Sequence, residues 1–288
     1  MRKKLITLPL LFIVLFIAAC GDSDRIIQGL MDISGAPLEY DDSKATKHLN
    51  VASVCMSCSR DKQENLQKMT GILRRIKTEK PATRLVVFGE TILGWYYDPV
   101  NPVAYQKNIA ETIPGPATDK IGALADSLNM YIAFGLTERS DEGENFYNSL
   151  VLLNPKGEIE AVHSKVSLIN WDEKSGFTPG KQKTVVTIDG IKTGMIICSD
   201  IQSVKLVREL VGDNIKIIIH ALASDALEFR IDAVARQFNA WAIIANRCGD
   251  EEENSYSGNC YIADPAGTIR VGGQGIERVE YYRIGVYE

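Results

Sequence analysis

Three side chains that could do chemistry follow short apolar segments of this sequence. Glu90 comes after residues 85–88, Lys165 follows an apolar run, and Cys198 comes after Met195-Ile196-Ile197. Reactive groups tend to lie on loops at strand ends, where a rigid sheet positions them and solvent reaches them. A thiol becomes a strong nucleophile when a base takes its proton or a cation lowers its pKa. Singly, the three also have ordinary interpretations, as a solvated loop residue, a surface charge and a core cysteine.

The elements that must position these residues follow an α/β pattern, because short apolar runs alternate with amphipathic stretches from residue 49 onward. Asp61, with Glu64 three residues later, is predicted to cap the first helix. No linker divides residues 48–288, which are predicted to form one domain. Strands are predicted at 49–54, 84–88, 131–136, 148–153, 159–163, 184–188, 193–197, 215–219, 241–245, 261–263 and 268–271, and helices at 61–78, 119–128, 226–238 and from Cys198 to Leu210.

The residues around these positions resemble the motifs of the nitrilase superfamily of carbon-nitrogen hydrolases. Residues 86–90 resemble the strand that ends in the catalytic Glu of the family, residues 163–168 the hairpin that leads to its catalytic Lys, and residues 194–200 its nucleophile strand. Further matches follow in family order at 147–149, 154–157, 177–180, 235–236, 245–247, 257–258 and 264–267. The resemblance covers residues 48–288, nearly all of the chain after its N-terminal segment.

This resemblance implies a role for each residue. Cys198 would be the nucleophile and form a thioester. Glu90 would act as general base on the thiol and later deliver the proton to the leaving amine. Lys165 and the backbone N–H of Ser199 would stabilise the oxyanion.

A second glutamate assists in members of the family, and Glu173, eight residues after Lys165, matches its position. We therefore expect Glu173 to position substrate or water. The neighbouring Asp172 is the alternative, because one of two adjacent acids could simply be solvated.

The sequence departs from the family pattern in places. Gly89 stands where relatives commonly have Pro before the catalytic Glu, and we expect it to loosen that turn. Gln202 stands where an Arg can bind the free carboxylate of some substrates, which weakens the case for an acidic substrate.

The resemblance implies a four-layer αββα sandwich of two mixed sheets between helices, assembled as a homodimer or larger homo-oligomer. The implied function is hydrolysis of a small linear amide or carbamoyl compound, with no metal and no organic cofactor. N-acyl transfer and nitrile hydrolysis are alternatives with the same thioester chemistry. A binding protein that kept the fold and lost turnover is the alternative from another class.

Other residues close to these positions leave alternatives open. Trp95, Tyr96, Tyr97 and Trp171 could line an aromatic pocket or fill the core. His220 follows an apolar run after Cys198 and raises a cysteine-histidine protease interpretation, although no protease signature surrounds Cys198.

The N-terminal residues have the layout of a signal peptide. Three cations precede an apolar run from Leu5 to Ala19, and the small residues before Cys20 resemble the lipobox of bacterial lipoproteins. We expect residues 1–19 to be cleaved, Cys20 to be lipidated, and residues 20–47 to form a tether to a bacterial membrane on its periplasmic or outer side. An ordinary secretory signal and an uncleaved anchor are the alternatives; the run is short for a membrane-spanning helix.

The charge balance argues against nucleic acid as a partner. The formal net charge of −5 becomes −8 without residues 1–19, because these contain three cations and no acids. Membrane attachment would then depend on acyl chains at Cys20 rather than on a basic surface.

Six cysteines are present, but a domain of this size does not need a disulfide framework. Cys55 and Cys58 form a CxxC that could be a disulfide, half a metal site or two buried thiols. Cys248 and Cys260 could bridge a loop or stay free.

Overall fold

The computed structural model describes residues 35–224 and 229–287. The predicted signal segment, Cys20 and most of the predicted tether lie outside these residues. Within them, no helix combines the length and apolar character needed to cross a membrane.

Two β-sheets form the centre of the fold. The first has eight strands in the order β11-β10-β1-β2-β3-β4-β5, with β14 paired to β1, and the second has six in the order β13-β12-β9-β8-β7-β6. The first sheet contains β1 (Lys47–Ser57), β2 (Leu85–Val87), β3 (Tyr131–Arg139), β4 (Phe146–Leu153), β5 (Ile159–Ser164), β10 (Arg247–Glu251), β11 (Asn254–Ser257) and β14 (Arg278–Val286). The second contains β6 (Thr184–Ile188), β7 (Ile191–Ile197), β8 (Ile217–Ala221), β9 (Trp241–Ala245), β12 (Cys260–Ala263) and β13 (Ile269–Gly273).

The described helices are α1 (Lys62–Glu79), α2 (Pro102–Ile109), α3 (Pro116–Leu128), α4 (Asn170–Lys174), α5 (Val204–Gly212) and α6 (Phe229–Phe238). Asp61 caps α1 as predicted, and its carboxylate accepts hydrogen bonds from the backbone N–H groups of Gln63 and Glu64. Short 3₁₀ helices lie at Asp42–Lys44 and Cys198–Gln202.

Three apolar layers hold the sheets and helices together. Residues of α1 and α3 pack on the outer face of the first sheet, those of α5 and α6 pack on the second sheet, and a third cluster lies between the sheets. Strand β1 contributes to two of these layers, because successive side chains of a strand point to opposite faces of the sheet. Leu49 and Val51 face the second sheet, whereas Ala52 and Val54 face the helices. Burying each large apolar side chain contributes about 1.5–3 kcal/mol. The predicted four-layer αββα arrangement is confirmed.

The strand directions bring several strand ends to one place. Strands β1, β2 and β3 are parallel, and β5 runs the same way because β3, β4 and β5 pair antiparallel. In the second sheet β7, β8 and β9 are parallel. The loops after β2, β5 and β7 carry the three side chains singled out in the sequence.

The last residues of the predicted tether pack on the domain. Tyr40 lies edge-on to the ring of Trp241, with 5.4 Å between ring centroids, and its hydroxyl donates a hydrogen bond to the Gly285 carbonyl at 2.7 Å. The chain is therefore attached to the fold from Tyr40, before the first strand begins.

Candidate active site

Glu90 lies just beyond β2 and is fully buried. Its backbone N–H donates to the Leu222 carbonyl at 3.1 Å, which ties the loop of the first sheet to the end of β8. The side-chain amide of Asn148, on β4, donates to Glu90 Oε1 at 2.7 Å. The other carboxylate oxygen, Oε2, is buried without a hydrogen-bond partner. One oxygen of Glu90 is therefore held, and the other is left to act on a further group.

Lys165 follows β5 and is 1% exposed. Its Nζ lies 2.8 Å from Glu90 Oε1 and 2.7 Å from Asp172 Oδ2, so one ammonium binds two carboxylates. A buried charge is costly unless it is paired and hydrogen-bonded, and here both partners are also removed from water.

The structure corrects the expectation for the second acid. Asp172 in α4 is fully buried, and it accepts hydrogen bonds from the Tyr96 hydroxyl at 2.9 Å and from the Ile169 backbone N–H at 3.0 Å. Glu173 is exposed and is not brought to Lys165. Successive helical residues point about 100° apart, so only one of two adjacent acids can face the site.

Cys198 follows β7 and begins the short 3₁₀ helix, and its backbone φ is +42°. Residues other than Gly rarely adopt this left-handed conformation, which costs about 1–3 kcal/mol and occurs often at active sites. The Nε2–H of His220 donates to the Cys198 carbonyl at 3.0 Å. His220 therefore contacts the backbone of the cysteine turn through this bond, which does not fit the protease interpretation.

Asp200 joins the lysine loop to the cysteine turn. Its Oδ1 accepts hydrogen bonds from the backbone N–H groups of Val166 and Ser167, both at 2.8 Å. Its Oδ2 accepts from the Ile197 N–H at 2.9 Å and lies 2.8 Å from His163 Nε2. Burial alone would raise the pKa of Asp200, but these donors hold it below its usual value. One buried carboxylate thus fixes Lys165 and Cys198 relative to each other.

The backbone N–H of Ser199 lies in the first turn of the 3₁₀ helix, where N–H groups have no acceptor within the helix. The Ser199 hydroxyl donates to the Ser167 carbonyl, which adds a second tie between the same two loops. Ser199 is therefore positioned beside Cys198 with its backbone donor available.

A cavity of about 400 Å³ opens beside Cys198. Its described walls include Tyr96 and Trp171 after the glutamate and lysine strands, and Tyr256 from β11. Of the four aromatic residues that could line a pocket or fill the core, Tyr96 and Trp171 line this cavity, and Tyr97 stacks on Trp171. Trp95 instead contacts the guanidinium of Arg60.

The charged groups shift each other's protonation. Burial raises the pKa of Glu90, and the carboxylate of Asp172 raises it further, against the opposing effect of Lys165. Burial and Glu90 together raise the pKa of Cys198 to about 12, again opposed by Lys165. Burial would lower the pKa of Lys165, but Glu90, Cys198 and Asp172 raise it above its ordinary value. Burial thus favours the neutral thiol of Cys198 and opposes ionisation of Glu90, whereas the acids around Lys165 favour its ammonium form.

The family of the chain follows from comparison with known proteins. The family model described as "Carbon-nitrogen hydrolase" matches residues 50–280. The chain belongs to the carbon-nitrogen hydrolase family. The predictions of this enzyme class and of its fold are thereby confirmed.

Individual relatives of this carbon-nitrogen hydrolase are distant. It is 29% identical over 210 residues, 71% of each chain, to a Pseudomonas protegens protein named "Hydrolase in pqqF 5'region". It is 28% identical over 204 residues, 68% of this chain and 71% of the other, to an (R)-stereoselective amidase of a Pseudomonas species. The crystal structure of Saccharomyces cerevisiae Nit3, of the nitrilase superfamily, superposes with a TM-score of 0.75 at 20% identity, over 84% of this chain and 91% of that one.

A buried ion pair supports the loop that follows Glu90 in this carbon-nitrogen hydrolase. Arg247 is fully buried beside Glu251, and its Nη2 donates to the carbonyls of Thr91 at 2.8 Å and Gly94 at 2.7 Å. Glu251 in turn accepts from the Tyr96 backbone N–H at 3.0 Å. The sequence contains Arg247 within a family motif but gives no sign of this supporting role.

Gly89 does not loosen its turn as expected. A Cβ atom there would lie 2.9 Å from the Leu222 carbonyl oxygen and 3.1 Å from the Asn246 carbonyl carbon. The backbone of the first sheet therefore touches backbone that follows β8 and β9 of the second, and a side chain at position 89 would force them apart.

The cysteines in the described part of the carbon-nitrogen hydrolase domain are free thiols. Cys55, Cys248 and Cys260 pack together in one buried cluster. Cys58 lies apart from them, with Arg247 Nη2 donating to its sulfur at 3.4 Å. The two cysteines of the CxxC thus face different surroundings.

Proposed function

We propose that this protein hydrolyses a small linear amide or carbamoyl compound through a thioester on Cys198. The observation that carries the proposal is the convergence of Glu90, Lys165 and Cys198, from three different strand ends, beside one cavity. The name of the amidase relative also supports an amide substrate.

The first step is attack of the Cys198 sulfur on the carbonyl carbon of the substrate. Glu90 takes the thiol proton as the carbon-sulfur bond forms, since a thiol with a raised pKa is a poor nucleophile until it loses that proton. The unpartnered Oε2 of Glu90 is the oxygen suited to this transfer.

The carbonyl oxygen becomes negative in this step. Lys165 Nζ and the backbone N–H of Ser199 stabilise the oxyanion, and loss of one such donor typically costs about 2.7–4 kcal/mol of transition-state stabilisation. Because Lys165 is already held by two carboxylates, its ammonium needs little reorganisation.

Collapse of the tetrahedral intermediate breaks the carbon-nitrogen bond. Glu90 delivers its proton to the leaving ammonia or amine. It then takes a proton from a water molecule, which attacks and cleaves the thioester, and Glu90 gives this proton to the Cys198 sulfur. Asp172 acts as a positioning residue that orients Lys165 and Tyr96 through its hydrogen bonds.

Ammonia release from a panel of small amides, carbamoyl amines and nitriles tests the proposal, with Cys198→Ala as control. Release that the control lacks supports hydrolysis and identifies the substrate class. Transfer of the acyl group to an added amine in preference to water would favour N-acyl transfer instead. No turnover, with Cys198 inert to a thiol probe, would favour the binding-protein alternative.

We further propose that the protein is exported and lipid-anchored through Cys20, because the residues before Cys20 resemble a lipobox. We expect the protein to incorporate labelled palmitate. The Cys20→Ser variant should not incorporate it and should move to the soluble fraction. A homodimer or larger homo-oligomer is proposed from the family resemblance alone, and light scattering during gel filtration tests it.

A further inference from the structure

Aromatic rings form one wall of the cavity beside Cys198. Trp171 lies 5.1 Å from Tyr97 and 6.1 Å from Tyr96 between ring centroids, and Tyr256 lies in the same cluster. The faces of aromatic rings carry partial negative charge and attract cations. This wall can therefore hold either a neutral apolar group or a positively charged one.

The rim of the cavity adds a full negative charge. Glu253, in the turn between β10 and β11, is exposed and lines the cavity. Among the described lining residues there is no Lys or Arg to balance it. The other described lining groups at this end, Ser224, Asn254 and Ser255, are neutral and polar.

The cations that the structure describes near the cavity are bound by partners of their own. Lys165 lies between Glu90 and Asp172, and Arg247 is paired with Glu251 and with backbone carbonyls. Together with Glu253, the described charged groups comprise four acids, Glu90, Asp172, Glu251 and Glu253, and two cations, Lys165 and Arg247. The exposed carboxylate of Glu253 therefore has no unpaired cation opposite it among the described residues of the cavity wall.

We propose that the cavity selects amides that carry a positive charge at the end remote from the reacting carbonyl. Cys198 and the oxyanion donors hold the carbonyl, and the rings and Glu253 hold an ammonium group at the other end. This substrate class rests on the proposed function, because it assumes that an amide occupies the cavity.

The test compares three amides of similar length that differ in terminal charge: δ-aminovaleramide is cationic, hexanamide is neutral and glutaramate is anionic. We expect kcat/KM to fall in that order, with about a tenfold or larger ratio between the cationic and anionic amides, equivalent to about 1.4 kcal/mol. The ratio should shrink at high salt, since Glu253 is exposed to screening ions.

Substitution of Glu253 tests directly whether this acid selects the cationic amide. Glu253→Gln should reduce the ratio several-fold, and Glu253→Lys should reverse the order of the charged amides. Glu252→Gln is the matched control, because Glu252 is an exposed acid next in sequence that is not among the lining residues, and it should leave the ratio unchanged.

The outcomes separate this inference from the proposed function. Cys198-dependent hydrolysis with equal or faster turnover of the anionic amide would overturn the inference and leave the hydrolase intact. Absence of Cys198-dependent turnover would overturn the proposed function. Calorimetric binding to Cys198→Ala gives a second readout, and equal affinity for all three amides would contradict the charge selection.

Discussion

Lys165 Nζ lies 2.7 Å from Asp172 Oδ2, so the ammonium that binds Glu90 is also held by a second buried carboxylate. The negative charge of Asp172 raises the pKa of Glu90. The acid beside the lysine therefore controls both where Lys165 points and the pH at which Glu90 ionises.

Asp172→Asn should lower kcat at least tenfold, because Lys165 binds Oδ2 and Tyr96 binds Oδ1, and an amide keeps only one of these two acceptors. It should also move the acidic limb of the kcat/KM profile to lower pH. Glu90 must be ionised to act as base, and removal of a like charge favours its ionisation.

Glu173→Gln is the control for this prediction, because the exposed Glu173 does not reach Lys165. Its pH profile should match that of the unmodified protein. A shifted limb in Glu173→Gln, with none in Asp172→Asn, would reverse the roles of the two acids.

Glu90→Gln should abolish amide hydrolysis while it speeds alkylation of Cys198. Burial and Glu90 raise the pKa of Cys198 and Lys165 lowers it, so a neutral residue at position 90 removes one of the acids that oppose the cation and increases the thiolate fraction. Iodoacetamide labelling followed by peptide mass mapping measures the rate at fixed pH.

In the same labelling experiment, Cys55, Cys58, Cys248 and Cys260 should react only after unfolding, because all four are buried. Slower labelling of Cys198 in Glu90→Gln than in the unmodified protein would contradict the assigned charges.

His220 should make the folded state less stable as the pH falls from 6.5 towards 4. Burial lowers the pKa of His220 from 6.5 to about 4, so the unfolded chain takes up a proton in this range before the folded protein does. At 1.36 kcal/mol per pH unit, this group removes up to about 3 kcal/mol of unfolding free energy.

His220→Gln keeps a side-chain N–H donor and should lack this loss, which urea unfolding at several pH values can measure. His48→Gln is the matched control, since His48 is exposed. Parallel stability curves for His220→Gln and the control would show that His220 does not titrate as described.

Asp200→Asn should destabilise the fold by about 2 kcal/mol or more and reduce kcat. The amide cannot accept all the hydrogen bonds that the carboxylate accepts from both loops, and bonds to charged groups contribute about 1.5–3 kcal/mol each. Asp126→Asn, at an exposed position on α3, should leave both quantities unchanged. Equal effects of the two substitutions, measured by urea unfolding and by turnover, would contradict the tie between the loops.

Periodicity predicts most of the sheet and helix positions, and the bounds of β6 and β9 agree with the predicted strands. Strand β14 is missing from the prediction because its residues are mostly half-buried, which leaves a weak alternation, although it pairs with β1 over its full length. Local pattern cannot reveal a partner more than 200 residues away.

The site is only partly predictable for a similar reason. The positions of strand ends and the family motifs predict Glu90, Lys165 and Cys198 as site residues. Spacing alone cannot decide whether Asp172 or Glu173 faces the site. That choice depends on the start of α4, where Asp172 accepts the hydrogen bond of Ile169. Asp200 and Arg247 act through contacts with distant backbone, which leave no local signature.

The backbone contact at Gly89 affects how freely the amino acids between the two sheets can be exchanged. Because main chain meets main chain there, the gap between the loop of Glu90 and the ends of β8 and β9 is set by atoms that every amino acid shares. Exchanges of similar apolar residues between the sheets should then alter stability more than rate. Position 89 itself is the exception, because any side chain there would need the backbone at Leu222 and Asn246 to move.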